Sequence, residues 1–154
     1  MTQAIRKGFA VALLAFVIGS GATATYRKLY PQYRYTGISA SLISPGGTIL
    51  KTHDYKTPTS NILVLRITAH SDAEARESVA NSLHNARLTE REILRDDKGK
   101  PIGERTVLVY QSAASPRPFT KVTLLKGSSM LVAFSYNSSE LFVVEKMAVA
   151  DFDF

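Results

Sequence analysis

The chain has 154 residues, 45% apolar and 21% charged, with a formal net charge of +6 and neither cysteine nor tryptophan. That length and balance fit one globular domain with enough chain to bury a core. The absence of cysteine excludes a lipid carried on a cleavage-point cysteine, thiol catalysis, cysteine-ligated zinc and iron–sulfur centres, and leaves an exported domain to hold together by packing alone.

Gly8 to Tyr26 is nineteen residues without a charged side chain, preceded by Arg6 and Lys7 and followed by Arg27 and Lys28. This is just long enough to span the ~30 Å hydrocarbon layer of a bilayer. Phe9, Val11, Leu13, Leu14, Phe16, Val17 and Ile18 are its expected membrane-anchor side chains, and Gly19 and Gly21 are tolerated in such a span. Ala22-Thr23-Ala24 also fits the small-x-small pattern of a signal peptidase site, so a leader cleaved after Ala24 is the alternative. Arg6-Lys7-Gly8-Phe9 resembles the cleavage site of type IV prepilins, although Leu13 stands where that family has Glu. The reading divides the chain into a signal-anchor or signal peptide (1–26), a linker (27–37) and a domain outside the cytoplasm (38–154). The domain is expected to be held at the cytoplasmic membrane or, after cleavage, to be secreted or periplasmic. Tyr26 to Tyr35 is rich in Tyr, Arg and Lys, as chains leaving a bilayer are.

Ile38–Ile43 reads as a first strand, ended by Pro45-Gly46-Gly47, and His53–Ser60 as a polar loop. Asn61–His70 has the strongest strand pattern. Ser71-Asp72-Ala73-Glu74 is a capping box, with the Glu74 carboxylate expected to reach back to the cap. It opens a helix whose stripe is Ala75, Val79, Leu83 and Ala86, with Asp72 and Arg76 spaced for an ion pair. Thr89–Arg95 and Glu104–Gln111 read as a hairpin around Asp96–Pro101. Phe119–Lys126 and Met130–Tyr136 are two further strands across Gly127-Ser128-Ser129. Asn137 caps a short C-terminal helix placing Leu141, Val144 and Ala148 inward, although Phe142-Val143-Val144 also suits a strand. Phe152-x-Phe154 is expected as a last edge strand or a packed tail. No internal repeat or low-complexity tract is present.

This order gives an α+β class: a mainly antiparallel sheet with one amphipathic helix on one face and a short C-terminal helix. The helix between strands suggests one local crossover. Leu63, Leu65, Ile67, Val79, Leu83, Val107, Val109, Val122, Leu124, Val132 and Phe134 are expected to share one core.

Chemistry-bearing groups are few. His53 beside Asp54, His70 near Asp72, and His84 are the imidazoles, and no HExxH, GxSxG or phosphate-cradle spacing is present. No catalytic residue, metal site or cofactor is therefore assigned. Arg91, Arg95, Lys98, Lys100 and Arg105 are the expected contacts to an anionic surface, interleaved with acids and lacking the aromatics of a nucleic-acid patch. The expected role is a non-catalytic binding or accessory protein of the cell envelope. Its partners would be the membrane, through the N-terminal helix, and an unidentified protein or anionic envelope component, not nucleic acid. The alternative is a small exported hydrolase using His70 or His53 with a neighbouring Asp.

Overall fold

The computed structural model describes residues 22–84, 86–111 and 117–154. The expected membrane-anchor positions, Phe9 to Ile18, lie outside them. Among the described residues no helix is long and apolar enough to cross a membrane. The elements are α1 (Ala22–Leu29), β1 (Arg34–Ile43), β2 (Ile49–Lys56), β3 (Asn61–Thr68), α2 (Asp72–Leu83), β4 (Arg87–Arg95), β5 (Pro101–Tyr110), β6 (Phe119–Lys126), β7 (Ser129–Ser135) and α3 (Ser138–Phe152).

All seven strands form one antiparallel sheet in the order β1-β2-β3-β7-β6-β5-β4. The fold is α+β. No local βαβ unit forms, because α2 carries the chain from β3 to the far edge of the sheet. The meander β4–β7 then returns until β7 pairs with β3. The β1–β2, β4–β5 and β6–β7 turns and the β3–α2 junction therefore share one end of the sheet, here the hairpin end. The β2–β3, β5–β6 and β7–α3 connections share the other, the loop end.

β2 replaces the expected polar loop. Its sequence ILKTHDYK shows no apolar alternation, because the adjacent buried residues Thr52 and His53, one on each face, are both polar. Residues 27–37 hold the end of α1 and the start of β1, and Tyr33 joins the core.

α2 and α3 lie on opposite faces of the sheet, and the expected single core is two. Val64 pairs with Ala133 and the next residue, Leu65, with Val132. Successive strand side chains point to opposite faces, so these two pairs are divided between them. Val64, Val122, Leu124 and Leu131 pack with Leu141, Val144, Met147 and Ala148 of α3. Leu65, Ile67, Leu125, Met130 and Val132 pack with Ala75 and Val79 of α2. Leu63 and Phe134 belong to neither core and stay 39% and 43% exposed.

Ser71 caps α2 as expected, its Oγ accepting from the Glu74 N–H at 3.2 Å. The Glu74 carboxylate does not return to the Ser71 amide. It accepts the His70 N–H at 2.9 Å and the Thr48 hydroxyl at 2.9 Å, which ties the β1–β2 turn to the helix start. Asn137 caps α3 through the Glu140 N–H at 3.3 Å. α3 is not short. It runs 15 residues through Phe142-Val143-Val144, and burial of Leu141, Val144, Met147 and Ala148 outweighs the modest helix cost of β-branched residues. Phe152 ends α3 and Phe154 follows a left-handed cap at Asp153, so the tail is packed rather than a strand.

Buried polar groups join the layers. Glu140 accepts from the Thr57 hydroxyl (2.6 Å), the Thr59 N–H (3.1 Å) and the Ser60 hydroxyl (3.2 Å), clamping the β2–β3 turn to the start of α3. Burial alone raises its pKa, but these hydrogen bonds bring the net shift below the ordinary value. Asp151, near the other end of α3, accepts the Tyr55 hydroxyl at 3.0 Å and lies 3.4 Å from Arg27 of α1.

His53 is 4% exposed, with Nδ1 3.0 Å from the Tyr35 hydroxyl, its ring 4.2 Å from Phe152, and Nε2 without a partner among the described residues. Burial lowers its pKa, the charges of Arg66 and Lys51 lower it further, and Asp54 opposes them. The unfolded chain therefore binds the His53 proton more tightly than the folded one. Stability is unaffected by this group above the ordinary histidine value of about 6.5 and falls as pH drops below it. Chemical denaturation between pH 8 and pH 5 should show that fall, and His53→Phe should flatten it. An unchanged slope in the variant would exclude His53 as its source.

Candidate binding cleft

The expected hairpin forms, β4 with β5, around a turn organised by Asp96. Its carboxylate accepts the Lys98 N–H at 3.0 Å and the Lys100 N–H at 2.8 Å, while Gly99 takes a positive φ of 77°. These bonds rest on a side-chain acceptor and on glycine's freedom in the left-handed region. Lys98 and Lys100 stand exposed at the tip, and Arg95 donates to the Gly99 carbonyl at 2.8 Å.

Between this hairpin and α2 lies a cleft of about 430 Å³. Val79, Leu83, Ile93, Ile102 and Leu125 give it an apolar floor, and Arg76, Arg91 and Glu104 supply its charges. Gly103 makes the floor possible. A Cβ there would stand 2.2 Å from the Leu125 carbonyl oxygen, so only glycine lets β5 lie this close to β6. Arg91 donates to Glu104 at 2.6 Å. Arg76 has no ion-pair partner among the described residues; the expected pairing with Asp72 is absent, and Asp72 lies beside Gly127 instead.

Of the expected surface contacts, Arg91 belongs to the cleft, and Arg95, Lys98 and Lys100 to the hairpin tip next to it. Arg105 is separated from them. Its side chain is 14% exposed on the α3 face, where it donates to Glu145 from Nε at 2.5 Å and from a terminal nitrogen at 2.9 Å, and reaches Glu90 at 2.8 Å. Strand alternation puts Arg105 and its neighbour Glu104 on opposite faces. Burial lowers the Arg105 pKa, and the bonds to Glu145 and Glu90 more than offset this, so the guanidinium stays charged.

The histidines are not brought together. His53 is buried under α3, His70 is exposed at the β3–α2 junction, and His84 ends α2 with Nδ1 3.2 Å from the Ala80 carbonyl. Asp54 follows His53 on the strand but accepts from Ser39 at 2.8 Å on the opposite face. Among the described residues no group of His, Asp and Glu is placed to hold a metal. Sequence reasoning missed the cleft's Arg76, Ile102 and Leu125. Each comes from a different element, and the signal in hand, the spacing of Arg76 from Asp72, pointed to a helix-surface pair.

No protein-family model matches the chain, and no curated protein matches it. A solved structure of a GTP binding regulator from Thermotoga maritima is similar, with 13% sequence identity, 86% of this chain and 87% of that chain covered, and a TM-score of 0.46.

Proposed function

We propose that the chain is a small envelope protein with a non-catalytic binding role, held at the cytoplasmic membrane by its N-terminal segment with the sheet domain outside the cytoplasm. The observation that carries the binding role is the α2–hairpin cleft, whose volume lies within the range of small-molecule sites. Its apolar floor and Arg76, the cleft cation not already bonded to Glu104, fit a partner that offers an anionic group next to an apolar one. The hydrolase alternative needs an accessible imidazole beside a carboxylate. His53 is buried and bonded to Tyr35, with Asp54 on the opposite face, and His70, though exposed, has no hydrogen bond from its ring to a carboxylate among the described residues, which favours binding over catalysis.

The tether is checked by the mass of the protein in a membrane fraction, where the intact chain from Met1 is expected; a soluble form starting at Thr25 would leave export but remove the anchor. The cleft is checked with anilinonaphthalene sulfonate, an anionic aromatic probe. Native protein should bind it saturably, and Arg76→Glu should weaken that binding by about tenfold, the loss of one charge-assisted contact. Equal binding by wild type and variant would remove the cleft from the reading.

A further inference from the structure

From Tyr35 to Leu50 the chain carries no charged side chain. This stretch is most of β1, the β1–β2 turn and the first residues of β2. At its tip Leu42, Ile43 and Ile49 are 64%, 73% and 37% exposed. The turn is closed: Ser44 N–H donates to the Thr48 carbonyl at 2.8 Å, Gly47 N–H to the Ser44 carbonyl at 2.9 Å, and Thr48 N–H to the Ser44 hydroxyl at 3.0 Å. An apolar tip that bonds three of its turn amides internally can enter a lipid interface without stranding those three.

Directly behind the tip, Lys51 and Arg66 are register partners on β2 and β3. Like charges opposite one another destabilise a sheet. Both side chains are exposed, and among the described residues neither has a carboxylate partner; Arg66 lies 5.7 Å from the centre of the Phe152 ring. The nearby acid Asp151 is engaged by Tyr55 and Arg27, and Glu74 by Thr48 and His70. The pair is thus a cationic site without an internal counter-ion.

The path of the chain brings this end towards a tether. Arg27 of α1 meets Asp151 near the end of α3, and β1, which follows α1, starts at the loop end, where Arg34 pairs with Lys56. α1 and the turn after it therefore run antiparallel to α3. The α3 start sits at the loop end, beside the β2–β3 turn. The start of α1 is directed towards the hairpin end, where the β1–β2 tip and Lys98 and Lys100 also lie.

We propose that the β1–β2 hairpin is a lipid-insertion element: Leu42, Ile43 and Ile49 enter the interface of an anionic bilayer and the Lys51–Arg66 pair receives lipid phosphates. A second strand is a poorer occupant. The outer edge of β1 is interrupted by register shifts between Tyr35 and Gly37 and between Ile38 and Ala40, and such bulges disrupt edge-to-edge pairing. The proposal rests on the membrane location given above, not on the cleft.

The chain has no tryptophan, so single substitutions report position. Full-length Ile43→Trp and Tyr136→Trp, the latter at the loop end, are combined with neutral or anionic vesicles containing brominated lipids. Sedimentation scores membrane attachment, and quenching scores insertion. Quenching is expected for Ile43→Trp on anionic vesicles, with little for Tyr136→Trp. Adding Lys51→Gln and Arg66→Gln to Ile43→Trp should remove about half of it or more, since juxtamembrane cations favour anionic surfaces. Sedimentation without Ile43→Trp quenching overturns the insertion element while leaving the tether standing. Equal quenching on neutral vesicles, or none lost in the charge variant, overturns the phosphate role. A concentration-dependent blue shift of Ile43→Trp without lipid means that a second copy covers the tip, and also overturns the proposal.

Discussion

Glu145→Ala should be among the most destabilising single changes in the domain, costing about 3–5 kcal/mol, because it strips a buried cation of its main partner. The Arg105 and Glu145 side chains are 14% and 7% exposed and joined by two hydrogen bonds. Glu90 remains 2.8 Å from Arg105 in the variant, but it is itself 53% exposed and holds only one terminal nitrogen. The guanidinium also lies 5.7 Å from the centre of the Phe142 ring, which cannot replace a carboxylate. Replacing both partners, Arg105→Leu with Glu145→Leu, should recover much of the loss, since apolar substitutes for a buried pair leave no charge uncompensated. Denaturant titration of wild type, both single variants and the double variant closes the cycle. A Glu145→Ala loss below about 1 kcal/mol would mean that Arg105 relaxes into solvent and that the pair does not tie α3 to β5.

Leu141→Ala should cost ~2–5 kcal/mol, and Leu83→Ala much less, about 1 kcal/mol. Leu141 is fully buried between α3 and the sheet. Leu83 is half-buried at the wall of the cleft, where truncation widens an existing opening instead of creating a closed void. From the stripe alone, Leu83 reads as a core residue and its loss as equally severe. Equal losses for the two leucines would place Leu83 in a closed core and remove one wall of the cleft.

Local order was legible in the residues wherever the deciding forces act within a few positions. The Ser71 and Asn137 caps, the Asp96 turn with Gly99, the alternation of β3 and the β-branched composition of β5 can all be read from neighbours along the chain. The α+β class follows from the order of those elements. β2 was missed because its buried positions include polar Thr52 and His53, and the burial of His53 depends on partners in other elements: α3 supplies Phe152 and β1 supplies Tyr35. The length of α3 was misjudged for a related reason, since β-branched residues lose little when a sheet face buries them.

The sequence by itself determined most of the chain's strands, the capped starts of α2 and α3, its uncharged N-terminal stretch and the absence of thiol chemistry. Only the tertiary structure decided that α2 and α3 flank the sheet on opposite faces. Alternation says which side chains share a face, not which helix covers it; that depends on α2 crossing to the far edge and the meander returning. The same path separates Arg105 from the basic hairpin tip, sets Arg76 beside Ile102 and Leu125, and opposes Lys51 to Arg66. These juxtapositions join residues distant in sequence, so their energies enter only once the sheet has closed.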